Sequence, residues 1–135
     1  MIEFFISGTP VSQSRPRFAR RGQFVTTYDA APAKDYKAYV KMVAAQHMSS
    51  TSAERFKRDI PLCVRLEIGI QRPKSKPKRY VLPTSKPDAD NFFKGITDAL
   101  ESICYEADQQ ITHVTIQKRY SEQPGVLVMI WEDKL

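Results

Sequence analysis

The sequence predicts an α+β domain in which a mixed β-sheet carries two packed helices. In the segment 62–70 a large aliphatic side chain recurs at every second position without exception, which is typical of a strand with one buried face. Two other segments, 32–48 and 90–103, have apolar side chains at helical spacing. The predicted order is strand, hairpin, helix, strand, helix, strand, strand. Strands interspersed with two helices in this way indicate one sheet with the helices packed on it.

The composition is that of one folded domain. The chain has 135 residues, of which 41% are hydrophobic and 27% are charged, as expected for a single domain with one core. It has no internal repeat and no linker-like stretch, so we expect residues 1–135 to form one domain. It also lacks a signal-peptide pattern and an apolar run near the ~20 residues of a membrane span. We therefore expect a cytoplasmic protein with no membrane attachment.

The N-terminal half is predicted to contain a strand, a hairpin and a helix. Apolar side chains recur at every second position over 2–7, and Gly8-Thr9-Pro10 ends this strand. Apolar and β-branched residues flank 21–23, which favours a short hairpin there. Pro32 suits the first turn of a helix, and the helical spacing continues to about residue 48.

The C-terminal half is predicted to contain a strand, a helix and a final hairpin. After the strand at 62–70, three prolines bar regular structure from the loop that ends at Pro83. Asp88 or Asp90 would cap the second helix. Strands are expected over 111–120 and 126–131, paired as a hairpin across the turn between them. The apolar stripe of the second helix is predicted to consist of Phe93, Ile96, Leu100 and Ile103.

Two runs of basic residues contain no acid. One lies between Glu3 and Asp29 and the other between Gln71 and Tyr80, in a chain of formal net charge +6. Basic runs of this kind favour a polyanionic partner such as DNA, although a solvated loop would also carry them. The predicted phosphate-contacting residues are Arg15, Arg17, Arg20, Arg21, Arg72, Lys74, Lys76 and Lys78.

An acidic motif precedes the second helix. Asp88 and Asp90 are two residues apart, so in an extended segment their side chains point to the same side, about 6.6 Å apart along the chain. Paired carboxylates suit Mg²⁺ or Mn²⁺, and Asp108 could supply a third. Lys94 lies one helical turn beyond Asp90, while Asp98 continues the row and is expected to be structural. The alternative is capping plus a surface ion pair of ~0.3–0.5 kcal/mol.

The cysteines and histidines show no catalytic or metal-ligand spacing. Cys63 and Cys104 lie in apolar surroundings, so we expect both to be reduced and structural. His47 and His113 are expected to lie on a helix face and a strand face, not to act as ligands.

Two stretches near the acid pair form a specific pattern. They are Lys-Pro-Asp-Ala-Asp-Asn-Phe-Phe-Lys-Gly-Ile-Thr-Asp-Ala-Leu at 86–100 and Tyr-Glu-Ala-Asp-Gln-Gln-Ile at 105–111. Together they resemble the RusA family of Holliday-junction resolvases. That family is common in phages and prophages. Three further stretches are also similar to the family pattern. They are Gly-Thr-Pro-Val at 8–11 and Ser-Arg-Pro-Arg-Phe at 14–18, both near the N-terminus, and Pro-Lys-Ser-Lys at 73–76. The resemblance spans nearly the whole chain.

The resemblance implies a Mg²⁺-dependent endodeoxyribonuclease, with Mn²⁺ as a substitute ion. It implies that a homodimer resolves four-way junctions in recombination and repair by paired symmetric nicks that leave 5′-phosphate ends. Asp88, Asp90 and Asp108 match the catalytic, metal-binding acids, with Glu106 as the second choice for the third. Lys94 matches the catalytic lysine, and Asn91 would brace the acidic turn. A nuclease for flaps or other branched DNA and a non-catalytic DNA-binding protein are the alternatives.

Overall fold

The computed structural model describes the backbone of residues 1–13, 17–22, 24–28 and 31–135, and the side chains of 1–13, 22 and 31–135. Six strands and two α-helices are present in this part of the chain. A single 3-10 turn (Asp108–Gln110) precedes the fifth strand. The elements are β1 (Ile2–Ser7), β2 (Arg17–Arg21), β3 (Phe24–Tyr28), α1 (Ala31–Ser50), β4 (Leu62–Ile70), α2 (Ala89–Leu100), β5 (Ile111–Tyr120) and β6 (Gly125–Glu132).

The predicted α+β class is confirmed. Four strands form a mixed sheet in the order β1-β6-β4-β5, and β2 pairs with β3 in a separate hairpin. Both helices pack on one face of the four-stranded sheet. The core there contains Phe4, Val40, Leu66, Ile96 and Ile130, each of them buried. None of the helices in the described ranges is long and apolar enough to cross a membrane.

The predicted apolar stripe of α2 is confirmed at Ile96 and Leu100, which are fully buried, but its first residue is Phe92 and not Phe93. Phe92 is only 2% exposed, whereas Phe93 is partly buried. Ile103 lies in the turn after α2 and also packs only partly against the core. Because α2 begins at Ala89, the phase of the helix turns Phe92 and Ile96, four residues apart, toward the sheet. The opposite, polar face is therefore free to carry acids and lysine.

The predicted hairpin between the last two strands is wrong. β6 lies between β1 and β4 and is antiparallel to both, whereas β5 pairs with β4 in parallel at the sheet edge. The apolar strand β4 thus occupies an interior position with a neighbour on each side. The connection 121–124 passes over the end of β4, where the Ser121 amide donates to the Ile70 carbonyl at 2.8 Å. Four extended residues reach about 13 Å, which exceeds the roughly 9.6 Å of two strand spacings.

Gly69 allows the 121–124 connection to lie close against the end of β4. A Cβ on Gly69 would lie 3.0 Å from the Cβ of Ser121, so a larger residue would push the connection away from the end of β4. The sequence shows a glycine within a strand pattern, which is a known sign of close backbone approach. The crossing itself is a tertiary feature that strand periodicity does not encode.

Replacing Gly125 with Ala is expected to destabilise the fold by roughly 1–3 kcal/mol, the range for overpacking a tight site. An added Cβ would clash with the ring of Phe5 and lie 2.6 Å from the Ile6 carbonyl oxygen, which is backbone and cannot rotate away. Urea unfolding of both proteins measures the difference. Gly95→Ala is the matched control, since the atoms nearest to its Cβ would belong to Gln13, the closest at 3.4 Å. Equal midpoints for wild type and Gly125→Ala would contradict this packing.

Candidate active site

The acid pair lies exposed at the start of α2. Asp88 is the N-cap residue, with φ −68° and ψ 149°, and its side chain makes no capping hydrogen bond. Asp90 lies in the first helical turn. In the described part of the chain, neither carboxylate has a hydrogen-bond or ion-pair partner. The predicted side-chain cap is therefore not formed, and both carboxylates are open to a ligand.

The segment before Asp88 is anchored by Lys118 on β5. The Lys118 ammonium donates to the carbonyl oxygens of Ser85 at 3.1 Å and Pro87 at 2.8 Å. A charged donor to two carbonyls is a strong link in a partly buried place. Sequence inspection missed this residue. A lysine at an inward position of the β5 pattern is the one signal that could have drawn attention to it.

The backbone of Asn91 also braces the acid pair. Its amide donates to the Asp88 carbonyl at 3.1 Å, and its own carbonyl accepts from the Gln13 amide at 3.1 Å. The side-chain oxygen of Gln13 is buried and has no hydrogen-bond partner among the described residues. Beside these groups is an open cleft of about 240 Å³. It is lined by Ser12, Gln13, Lys86, Pro87, Asp88 and Asn91.

Lys94 lies on the solvent side of α2, as predicted, with 65% of its side chain exposed. Its ammonium group is 3.3 Å from a carboxylate oxygen of Asp98. The second oxygen of Asp98 is 3.8 Å from the ammonium group of Lys37 on α1. Asp98 thus pairs with two lysines, which fits the structural role expected for it.

Asp108 lies beside the far end of α2, within reach of two other acids. The pKa of Asp108 is raised from 3.8 to about 6, mainly by burial and with contributions from the carboxylates of Glu101 and Asp98. The Tyr105 hydroxyl, 2.6 Å from one carboxylate oxygen, opposes this rise. The same hydroxyl is 2.9 Å from the Thr97 carbonyl. An ionised Asp108 therefore competes with the Thr97 carbonyl for the one proton of the Tyr105 hydroxyl. The carboxylates of Asp98, Glu101 and Asp108 make this end of α2 negatively charged.

A buried glutamine fixes the turn that carries Asp108. Gln110 is 5% exposed, and its carbonyl oxygen accepts from the amides of Glu106 and Ala107, both at 2.9 Å. Its side-chain amino group donates to the carbonyls of Lys57 at 2.6 Å and Ile60 at 3.0 Å. The turn is thereby fixed to the segment before β4. The carboxylate of Glu106 instead pairs with Arg55 at 3.5 Å.

The acids fall into two places along α2. With a rise of 1.5 Å per residue, Asp98 lies about 12 Å from Asp90 along the helix axis. Asp108 adjoins the Asp98 end through Tyr105 and Thr97. Among the described residues, the ligand oxygens of Asp88, Asp90 and Asp108 do not all lie within 4.8 Å of one another. Asp88 and Asp90 therefore lie at the start of α2, whereas Asp108 lies beside its far end.

The pH dependence of stability is expected to report on Asp108. Because its pKa is higher in the fold than its ordinary value, the folded protein holds a proton that the unfolded chain releases. Stability falls as pH rises from about 4 to 6. Asp108→Asn should therefore stabilise the protein at pH 7.5 by about 1 kcal/mol, a value reduced for solvent screening, and hardly at pH 4.

Thermal unfolding in EDTA at both pH values measures this difference. Asp59→Asn, at an exposed loop position, is the matched control. An equal gain for Asp108→Asn at pH 4 and pH 7.5 would contradict burial and charge repulsion as the cause of the stabilisation.

The two basic runs differ in what the structure describes. The side chains of Arg15, Arg17, Arg20 and Arg21 lie outside the described residues. Arg72 donates to the carbonyls of Lys78 at 3.3 Å and Tyr80 at 2.9 Å, and its guanidinium lies 5.5 Å from the Tyr120 ring centroid. Arg72 therefore holds the loop together. Lys74, Lys76 and Lys78 are exposed on it.

Comparison with known proteins identifies the family. Residues 7–131 match the family described as "Endodeoxyribonuclease RusA". The chain is also similar to the "Uncharacterized protein YqaN" of Bacillus subtilis (strain 168), with 38% identity over 143 residues, covering 97% of this chain and 96% of that protein. The family match includes the acid pair, Lys94 and Asp108, and it confirms the resemblance seen in the sequence. The chain therefore belongs to the RusA endodeoxyribonuclease family.

Proposed function

We propose that the protein is a Mg²⁺-dependent endodeoxyribonuclease that resolves four-way DNA junctions by paired symmetric nicks. The observation that carries this proposal is the exposed pair Asp88 and Asp90, which has no described partner and lies one turn from Lys94. The expected setting is recombination and repair in the cytoplasm of a bacterial cell, with a phage or prophage origin.

The donor set fits a hard divalent cation. Asp88 and Asp90 offer carboxylate oxygens with no capping or ion-pair commitment among the described residues, and Mg²⁺ takes one or two carboxylates while keeping several waters. Mn²⁺ accepts the same ligands. When bound, such an ion would supply a nucleophilic water and polarise the phosphodiester. Asp108 is assigned as the third acid because it matches the third acid of the family pattern.

The residues around the pair have distinct roles in this proposal. Lys118 and the Asn91 backbone hold the acidic turn in place. Lys94 would leave Asp98, 3.3 Å away, and turn its ammonium group toward the phosphate. There it can stabilise the developing charge or protonate the leaving 3′-oxygen. A 3′-oxygen leaving group gives the 5′-phosphate end that ligase can seal.

DNA binding is assigned to the two basic runs. Lys74, Lys76 and Lys78 are exposed on the loop that Arg72 braces, so these lysines are suited to phosphate contacts. The arginines at 15, 17, 20 and 21 are the second predicted set. Contacts of this type make binding strongly salt-dependent.

A homodimer is part of the proposal. Resolving a four-way junction takes two symmetric nicks, and one active site makes one. A two-fold dimer places two equivalent sites on a junction with matching symmetry.

A substrate comparison tests this specificity. Equal amounts of protein are incubated in Mg²⁺ with a four-way junction, a flap, a single strand and a linear duplex of related sequence. Preferential cutting of the junction supports the proposal. Preferential cutting of the flap would favour a nuclease for other branched DNA, and binding without cutting of any substrate would favour a non-catalytic DNA-binding protein.

A further inference from the structure

The sheet brings together three metal-ligating side chains away from α2. They are Cys63 on β4, His113 on β5 and Asp133, just after β6. One ligand atom from each, a sulfur, a ring nitrogen and a carboxylate oxygen, lies within 4.8 Å of the other two. Over the described side chains, this is the one group of three such residues that meets this distance. The sequence predicted no ligand role for Cys63 or His113, because 50 positions separate them.

A register irregularity places the histidine beside the cysteine. Leu62 is opposite Ile111 on β5, but Cys63 is opposite His113, so Thr112 is an extra residue in the ladder. Without this β-bulge, Thr112 would face Cys63. Bulges of this type redirect side chains at sheet edges and next to functional sites.

The same threonine orients the carboxylate. The Thr112 hydroxyl donates to one oxygen of Asp133 at 2.6 Å, and the Leu135 amide donates to the other at 3.0 Å. The Asp133 amide donates in turn to the Pro61 carbonyl at 2.8 Å. A carboxylate oxygen that accepts one hydrogen bond keeps a further lone pair. Such outer contacts are what hold a metal ligand in its binding orientation.

The charges of the group suit a cation. The Thr112 hydrogen bond lowers the pKa of Asp133, and His113 lowers it too, so the carboxylate is ionised at neutral pH. Burial raises the pKa of the Cys63 thiol, with Asp133 adding to the rise. A metal that binds sulfur therefore displaces the thiol proton on binding.

The donor set selects a borderline-soft ion. Sulfur, imidazole and one carboxylate are ligands of Zn²⁺, whereas Mg²⁺ takes oxygen ligands. Zinc–ligand lengths of ~2.0–2.3 Å in a tetrahedron put ligand atoms about 3.3–3.6 Å apart. Atoms that already lie within 4.8 Å of one another need to move by only about 1 Å. Three protein ligands would leave the fourth position for water.

We propose that Cys63, His113 and Asp133 form a Zn²⁺ site that ties the chain end after β6 to β4 and β5. This site is separate from the acids at α2. Cys63 alternates with the core residues Leu62 and Val64, so it lies on the sheet face away from the helices. His113 is also about 16 Å along β5 from Lys118, which holds the acidic turn.

Cobalt substitution tests the site with matched controls. Metal-free full-length protein is titrated with Co²⁺, which reports tetrahedral thiolate ligation by a sulfur-to-metal charge-transfer band. We expect saturation at one equivalent, displacement by Zn²⁺ but not by excess Mg²⁺, and quenching of the fluorescence of Trp131. That residue is the one tryptophan of the chain and the register partner of Cys63.

Single substitutions assign the ligands. His113→Gln, at an exposed position, should abolish the band and the rise in melting temperature caused by Zn²⁺. The chain has two histidines and two cysteines, so His47→Gln and Cys104→Ala are the controls and should retain the band. Thr112→Val should weaken Co²⁺ binding by on the order of tenfold.

Asp90→Asn, a change at the acids of α2, is the last control. It should leave Co²⁺ binding at Cys63, His113 and Asp133 unchanged. Absence of a thiolate band in the wild type would overturn the proposal. A thiolate band that persists in His113→Gln would also overturn the proposal. This outcome can be read without a Cys63 variant, so it does not depend on whether such a variant folds.

Discussion

Asp90→Asn is expected to abolish Mg²⁺-dependent cleavage of a four-way junction while binding of the junction persists or tightens. The substitution removes one negative charge from the acid pair at the start of α2 but keeps the size of the side chain. We expect a rate loss on the order of 100-fold or more, similar to losing one preorganised electrostatic group. Binding should not weaken, because one fewer negative charge faces the DNA phosphates. Single-turnover cleavage and a gel-shift assay in Ca²⁺ measure the two effects separately.

Asp59→Asn is the matched control for this variant. It makes the same chemical change at an exposed turn residue outside the two acid groups of α2, and it should cleave at the wild-type rate. Full activity in Asp90→Asn would contradict the assignment of the acid pair. Loss of both cleavage and binding, with the protein still folded, would reassign Asp90 to the DNA-binding surface.

Lys94→Ala is expected to slow cleavage by on the order of 100-fold and to leave stability nearly unchanged. The ammonium group is mostly exposed, and its ion pair with Asp98 at 3.3 Å is worth at most about 0.5 kcal/mol. A large loss of rate therefore could not arise from unfolding. Cleavage under single-turnover conditions and urea unfolding of the same preparation measure the two quantities.

Two further variants distinguish catalysis from a surface ion pair. Lys41→Ala removes an exposed lysine from α1 and should cleave normally. Asp98→Asn breaks the contact with Lys94, and we expect a smaller loss than for Lys94→Ala, since the ammonium group itself remains. An unchanged rate in Lys94→Ala would return the lysine to a purely structural role.

Local patterns predicted the elements that carry the acid pair. Strict alternation located β4, and helical spacing located α1 and α2, because each of these elements buries one side of a regular backbone. The family motif then indicated Asp88, Asp90 and Lys94. The open carboxylates at the helix start disagree with simple capping, a distinction that depends on side-chain geometry.

The remaining features depend on contacts between residues far apart in sequence. The position of β6 between β1 and β4 depends on how the 121–124 connection crosses Gly69. Lys118 reaches the acidic turn from a strand 31 residues away from Pro87. The grouping of Cys63, His113 and Asp133 depends on a one-residue bulge in β5. Periodicity within a segment carries no information about such pairings.

The most direct measurement is cleavage of a labelled four-way junction by the wild-type protein, with and without Mg²⁺. Each of the four strands is labelled in a separate reaction, and the products are mapped on a denaturing gel. We expect cuts only with Mg²⁺, at symmetry-related positions in two opposing strands, and products that ligase can seal. Cuts without a divalent ion, or no cuts in a junction that the folded protein binds in Mg²⁺, would contradict the proposed metal-dependent resolvase activity.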